Sequence, residues 1–235
     1  MSGRWALRLE GVAAGLLWAA LVLGISVGAL TVPVYTSAMV QTLEVPESAQ
    51  LPIGDTVKLA GMVRALVADR EFDPLPETWR GLPGFDASAV SHLMDVRRVL
   101  DGARIATGLV AALLAGWVGL CVARRRWSPL ARGMRAGAYT LFGLLALAVL
   151  SAFLDFSAFF AVFHSLFFAE GTWTFPYDSL LIRLFPERFW IASGAAWGVL
   201  SVAGAGSLLG AARSVPSGTL IALHEEGGSR TADNV

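Results

Sequence analysis

Cysteine is nearly missing. Cys121 is the single one in 235 residues, so no disulfide can close within the chain and no thiolate cluster can hold a metal. Charge is scarce too, at 15% of residues, where a soluble domain carries about a quarter. Histidine occurs three times, as His92, His164 and His224. None forms the short-spaced ligand pair of a zinc site, so no metal is expected. No Gly-x-Ser-x-Gly elbow and no serine–lysine pair stands out, which leaves a serine hydrolase unsupported. The arginines flank apolar blocks instead of decorating a recognition element, so nucleic acid is not an expected partner. Haem ligation by two histidines would need both rings to reach one haem, and no cofactor is expected.

Apolar residues, by contrast, abound. They make up 55% of the chain and gather into long uncharged blocks, the mark of an integral membrane protein. The formal net charge of zero hides a segregation of sign along the chain. Arg4 and Arg8 precede an uncharged block at 11–32, longer than the roughly 7–15 residues of a signal-peptide core; it reads as an uncleaved first span. Further spans are expected at about 105–123, 137–154 and 189–212. Residues 34–104, with Glu44, Glu47, Asp55, Asp69 and Asp73, are polar enough to leave the membrane. They read as a small cap of short helices (Leu59–Val67, and Ala87–Leu100 behind an Asp86 N-cap) and proline-rich loops. Residues 155–188 form a second external loop, and 215–235 a polar tail.

The expected fold is therefore an all-α integral membrane protein, one four-span domain over residues 1–214 with both termini cytoplasmic and an extracytoplasmic cap. Arg4, Arg8, Arg124, Arg125, Arg126, Arg132, Arg135 and Arg213 all fall on the face that short basic loops mark as cytoplasmic. Trp173, Tyr177, Phe189 and Trp190 suit the outer interface. Gly194, Gly198, Gly204, Gly206 and Gly210 permit close helix packing, and the Gly194–Gly198 spacing suits internal packing or a dimer face.

Chemistry concentrates in two of the histidines. His224 sits beside Glu225 and Glu226 in the tail and reads as solvated. His92 opens the run His92-Leu93-Met94-Asp95-Val96-Arg97. If this is helical, Asp95 shares the histidine's face and can fix its tautomer or favour its charged form; an ordinary surface ion pair is the plainer reading. His164 lies among Phe159, Phe160, Phe163, Phe167 and Phe168. That setting desolvates the ring, favours its neutral form and suits a general base. Asp155 ends the third span. Asp178 and Glu187 read either as supports of a site or as turn and helix residues.

These residues carry a resemblance. The run from His92 to Arg97 is similar to the His-x-x-Asp-Val pattern of the lipoprotein intramolecular transacylase (Lit) family of bacterial membrane enzymes. So, more specifically, is the block Asp155-Phe156 through Phe163-His164-Ser165-Leu166-Phe167-Phe168, Trp173, Asp178, Leu181-Ile182 and Phe185-Pro186-Glu187-Arg188-Phe189-Trp190. The cap between Val34 and Phe85 carries little of the pattern. The resemblance implies a bacterial cytoplasmic-membrane enzyme whose partners are membrane lipids and a diacylglyceryl-cysteine lipoprotein. The enzyme would move the sn-2 acyl chain to the lipoprotein's own α-amine and give the lyso-form, at a site facing the outer leaflet. It places His92 and His164 at the family's two catalytic histidines, with Asp95, Asp155, Trp173, Asp178 and Glu187 as candidate supports. His164 is expected as the base and His92 as the acid, the reverse and a covalent acyl-imidazole remaining open. The rivals are a non-catalytic lipid-binding or accessory protein, in which the two rings need not meet, and a histidine-dependent deacylase that uses water as acceptor.

Overall fold

The chain, seen in a computed structural model that describes residues 2–69 and 73–216 (without the side chains of residues 2–4, 6 and 7), is built almost wholly of helix. In order these are α1 (Ser2–Leu30), α2 (Pro33–Thr42), α3 (Val45–Ala49), α4 (Ile53–Arg64), α5 (Ala87–Ala123), α6 (Trp127–Leu154), α7 (Phe156–Phe167), α8 (Leu180–Leu184) and α9 (Glu187–Ser214). A π-helical turn, Ala65–Asp69, follows α4, and a short hairpin of β1 (Thr78–Trp79) and β2 (Leu82–Pro83) precedes α5. The tail with His224, Glu225 and Glu226, and the side chain of Arg4, lie outside the described residues.

A helix rises 1.5 Å per residue, so a hydrocarbon core about 30 Å thick asks for about 20 apolar residues. Four helices satisfy this among the described residues: Arg8–Leu30 of α1, α5, α6 and α9. The protein is an all-α membrane protein of four spans. At 37 residues α5 is about 55 Å long by the same rise, far more than the apolar layer needs. Two separate helices were expected here, one over 87–100 and a span from 105. They are one helix because Asp101 and Arg104 pair across a turn at 3.5 Å instead of breaking it. Asp86 caps its start, accepting the Ala89 N–H at 2.7 Å; this bond, ahead of that from Ser88, holds the carboxyl below its usual range. The expected helix at Leu59–Val67 begins earlier, at Ile53, and passes into the π turn. The expected loop 155–188 contains α7 and α8.

The described residues form two compact units. One comprises residues 2–23, 107–146 and 201–216. Here small residues let helices close in, as the glycine content suggests. A Cβ on Gly137 would fall 2.7 Å from that of Trp18, and one on Gly204 would fall 2.5 Å from Val22. Gly194 and Gly198, in the other unit, meet nothing within 4 Å. Ala19, Ala138, Leu141, Ala205 and Leu208 form the apolar core of the first unit, beside the buried Ser201. Glu10 also lies in this unit, and its carboxylate accepts from Arg126 at 2.7 Å and from the Trp117 indole at 3.2 Å; a carboxylate this close to a span is costly without such partners.

The other unit comprises residues 24–69, 73–106 and 147–200. Arg80 and Gly81, both at positive φ (52° and 79°), make the two-residue turn that suits a twisted hairpin. The hairpin delivers Phe85, 2% exposed, into a core shared with Leu59, Leu93, Leu181 and Leu184. Arg188, at the start of α9, reaches back to the Glu44 carbonyl and the Ser48 hydroxyl, both at 2.6 Å. This ties the residue that turns α2 into α3 in a left-handed conformation. The Tyr35 hydroxyl donates to Ser193 Oγ at 2.9 Å. The cap thus has its own apolar centre and is stapled at its rim, and α5 contributes Ala89 and Leu93 to it.

Candidate active site

His92 occupies the α5 turn whose neighbours Ala89 and Leu93 are buried in the cap core. This packing turns its ring inward and leaves it 8% exposed. His164 lies in the last turn of α7 and is likewise 8% exposed. Asp155 starts α7 as its N-cap and accepts from the Ala158 N–H at 2.9 Å. The opposite side of α7 is apolar and exposed at Val162 and Leu166. The one buried side chain of α7 is this imidazole, while its serines, Ser157 and Ser165, stay exposed.

The two imidazoles meet. Their centroids lie 6.2 Å apart with planes inclined by 27°. Phe168 packs against both, at 4.9 Å from His92 and 5.6 Å from His164. Phe175 covers His92 at 5.5 Å, while Phe160 and Trp173 cover His164 at 3.9 Å and 5.0 Å. Between two chain segments that are distant in sequence, the unit forms a pair of imidazoles walled by aromatic rings.

Hydrogen bonding fixes one ring and leaves the other unbound on its inner nitrogen. His164 Nδ1 stands 2.9 Å from the Phe160 carbonyl. A carbonyl only accepts, so Nδ1 carries the proton and the Nε2 of the neutral ring holds the free lone pair. Burial pushes the His164 pKa below its ordinary value, and the bond to Phe160 works in the opposite direction. His92 Nδ1 is buried without a hydrogen-bond partner.

The remaining candidates divide. Trp173 joins the site, and its buried Nε1 has no partner. Asp95 forms an ion pair with Arg98, one turn further along α5. Asp155 touches neither imidazole in any hydrogen bond and caps the helix that carries His164. Asp178 and Glu187 are both exposed, Glu187 in the first turn of α9, and no hydrogen bond or ion pair links either to the two histidines. Of the five phenylalanines crowding His164 in sequence, Phe160, Phe163 and Phe168 touch its ring. Phe175 was not anticipated; it reaches His92 from the irregular segment between α7 and α8, where no periodicity marks it. Gly24-Ile25-Ser26-Val27-Gly28 has the spelling of a nucleophile elbow, but it lies inside α1 and not on a turn.

Comparison with known proteins gives a consistent result. The model of the family "Lipoprotein intramolecular transacylase Lit" matches residues 12–190. An uncharacterised protein of Aquifex aeolicus (strain VF5) is 27% identical over 139 residues, a match spanning 58% of this chain and 61% of that relative. The fold is similar to the solved structure of the membrane-integral lipoprotein intramolecular transacylase Lit from Bacillus cereus. The TM-score is 0.73 at 14% identity, with 89% of this chain and 95% of that one covered. Two variants of that protein, each substituted at one histidine, match with a TM-score of 0.70; at this identity the likeness establishes the fold.

Proposed function

The chain belongs to the Lit family of lipoprotein intramolecular transacylases, and we propose that it is a membrane acyltransferase that uses His92 and His164 on a diacylglyceryl-cysteine lipoprotein. The observation that carries this reading is the 6.2 Å approach of two imidazoles that are each 8% exposed. An accessory protein has no use for that arrangement, since burying two ionisable rings side by side is costly unless they act.

The reaction moves the sn-2 acyl group from the glyceryl oxygen to the α-amine of the same molecule. An α-ammonium loses its proton with a pKa of about 7.7–8.0, so the amine is available near neutral pH. As its nitrogen bonds to the ester carbonyl carbon, His164 Nε2, the acceptor left free by the Phe160 bond, takes the surplus proton. When the carbon–oxygen bond to glycerol breaks, the alkoxide takes a proton from His92, the acid of the pair. One proton enters at His164 and one leaves from His92, so transfer between the rings or with water resets the pair. An ester and an amine become an amide and an alcohol, a downhill exchange that needs no nucleotide. Donor and acceptor share one molecule, so holding them in a reactive fold draws on effective molarities that lower the barrier by up to about 7–11 kcal/mol. The aromatic wall excludes water, which would otherwise divert the acyl group to free fatty acid.

Arg8, Arg124, Arg125, Arg126, Arg132, Arg135 and Arg213 lie at the span ends that the positive-inside rule assigns to the cytoplasm. Both termini are then cytoplasmic and the histidine pair faces the outer leaflet, where a lipoprotein's lipidated end is presented.

The test is mass spectrometry of one lipoprotein's N-terminal lipopeptide, from a bacterial host without N-acylation that expresses this chain or its His164→Ala variant. An N-acyl, S-monoacylglyceryl cysteine that appears only with the unaltered chain is the expected result. Free fatty acid with no N-acyl product would make the protein a deacylase, and an unchanged diacylglyceryl form beside well-expressed protein would remove the enzymatic reading for that substrate.

A further inference from the structure

Attack of an amine on an ester builds negative charge on the carbonyl oxygen, and neither histidine is free to meet it while each handles a proton. Stabilising such an oxyanion is commonly the largest single contribution to acyl transfer. The site therefore needs a further donor. Among the described aromatic side chains against the two imidazoles, Phe160, Phe163, Phe168, Phe175 and Trp173, the tryptophan is the one that carries an N–H. Its ring lies 5.0 Å from that of His164 at 35°, and its Nε1 is buried with no hydrogen-bond partner. An indole nitrogen is a donor and never an acceptor. Leaving such a donor buried and unbonded costs roughly 1–3 kcal/mol, which the large majority of buried side-chain polar groups avoid. Two other tryptophans, Trp18 and Trp79, also have an unbonded buried Nε1. Neither touches a histidine: Trp18 packs inside the spanning unit, and Trp79 lies under the Lys58 ammonium at 5.2 Å. Trp173 alone among them stands beside the reacting groups.

We infer that the Trp173 indole N–H is the oxyanion donor of the transfer reaction, binding the sn-2 carbonyl oxygen as it becomes anionic beside His164. The inference rests on the transacylase reading. The donor keeps its proton throughout: the bond between amine nitrogen and acyl carbon forms, the glyceryl carbon–oxygen bond breaks, and the indole only shares its hydrogen with the oxygen that remains on the acyl carbon. A donor of this kind acts in the transition state more than in the ground state, so its removal lowers kcat and leaves KM nearly unchanged.

Trp173→Phe tests this, because it keeps an aromatic ring against His164 and deletes only the N–H and the second ring. We expect kcat to fall by about 10²–10³-fold with KM within about threefold, and with an unchanged thermal midpoint in detergent. Binding provides a readout that needs no turnover. A lipopeptide whose sn-2 ester is replaced by a phosphonate places an anionic oxygen where the oxyanion develops; it should bind the variant about 100-fold more weakly than the unaltered protein, while the ester substrate binds both alike. If the variant keeps kcat and phosphonate affinity while His164→Ala abolishes transfer, the inference about Trp173 is wrong and the transacylase reading stands. Parallel losses in substrate binding, phosphonate binding and thermal stability would make Trp173 a packing residue only. If the unaltered chain transfers no acyl group, both readings fall together.

Discussion

The carboxylate of Asp95 is engaged by Arg98 and not by His92. Asp95 lies three residues on from His92 along α5, yet Arg98 takes its carboxylate and the imidazole is left with a buried, unbonded Nδ1. The pair is largely exposed, Arg98 at 74% and Asp95 at 32%, and such pairs stabilise by at most about 1 kcal/mol. Asp95→Asn should therefore reduce transfer less than about tenfold and shift the thermal midpoint only slightly. A loss as large as that of His92→Ala, measured on the same lipopeptide, would show that Asp95 turns to His92 when substrate binds.

Removal of either histidine should be far more damaging. A positioned acid or base contributes about 10²–10⁴-fold, so His92→Ala and His164→Ala should each lower kcat/KM by that order. The 6.2 Å separation makes them one working unit, and residues that act as a unit are not additive. The double variant should be little worse than the more damaging single one. Multiplied losses in kcat/KM would mean that the two rings contribute independently and do not work as a pair.

Much of this was legible beforehand, for reasons that particular residues make plain. The spans are visible because uncharged blocks of the required length leave the backbone no alternative but helix in lipid. The continuity of α5 is hidden because Asp101 and Arg104 look like a polar break, while three residues apart on a helix they satisfy each other. The apolar run around His164 is visible, but its helix is not: α7 is too short to span, and its boundary depends on one cap bond from Asp155. The meeting of His92 with His164 is a tertiary fact, and only the family resemblance pointed to it. Nothing in spacing could show that Trp173 lies against one ring and Phe175 against the other.

The burial of His164 sets a pH dependence of stability that can be measured apart from activity. Burial depresses its pKa in the folded protein, whereas an unfolded chain binds that proton near 6.5. As pH falls below about 6.5 the unfolded state takes up the proton first, so stability declines until the folded ring also protonates, and above 6.5 this group adds no slope. The thermal midpoint of the unaltered protein should thus fall between about pH 6.5 and 5 relative to that of His164→Gln, and the two curves should run parallel above pH 7. A constant difference across the whole range would mean that the ring is solvated and ordinary, which would remove the basis for treating it as a poised base.

Charge and geometry can be separated at Asp155. This residue turns the chain from α6 into α7: its backbone N–H still bonds the Ser151 carbonyl at 3.2 Å, while its side chain caps the next helix at Ala158. Loss of an N-cap costs typically about 1 kcal/mol. The residues loosened first would be those of the opening turns of α7, where Phe160 lies, and its carbonyl fixes the His164 tautomer. Asp155→Ala should therefore lower both the thermal midpoint and kcat, the latter by loosening the His164 anchor. Asp155→Asn retains a side-chain oxygen that caps equally well and should restore both to nearly the starting values. If the asparagine variant is as inactive as the alanine one yet as stable as the unaltered protein, the negative charge of Asp155 takes part in the reaction, and its role as a cap is incidental to catalysis.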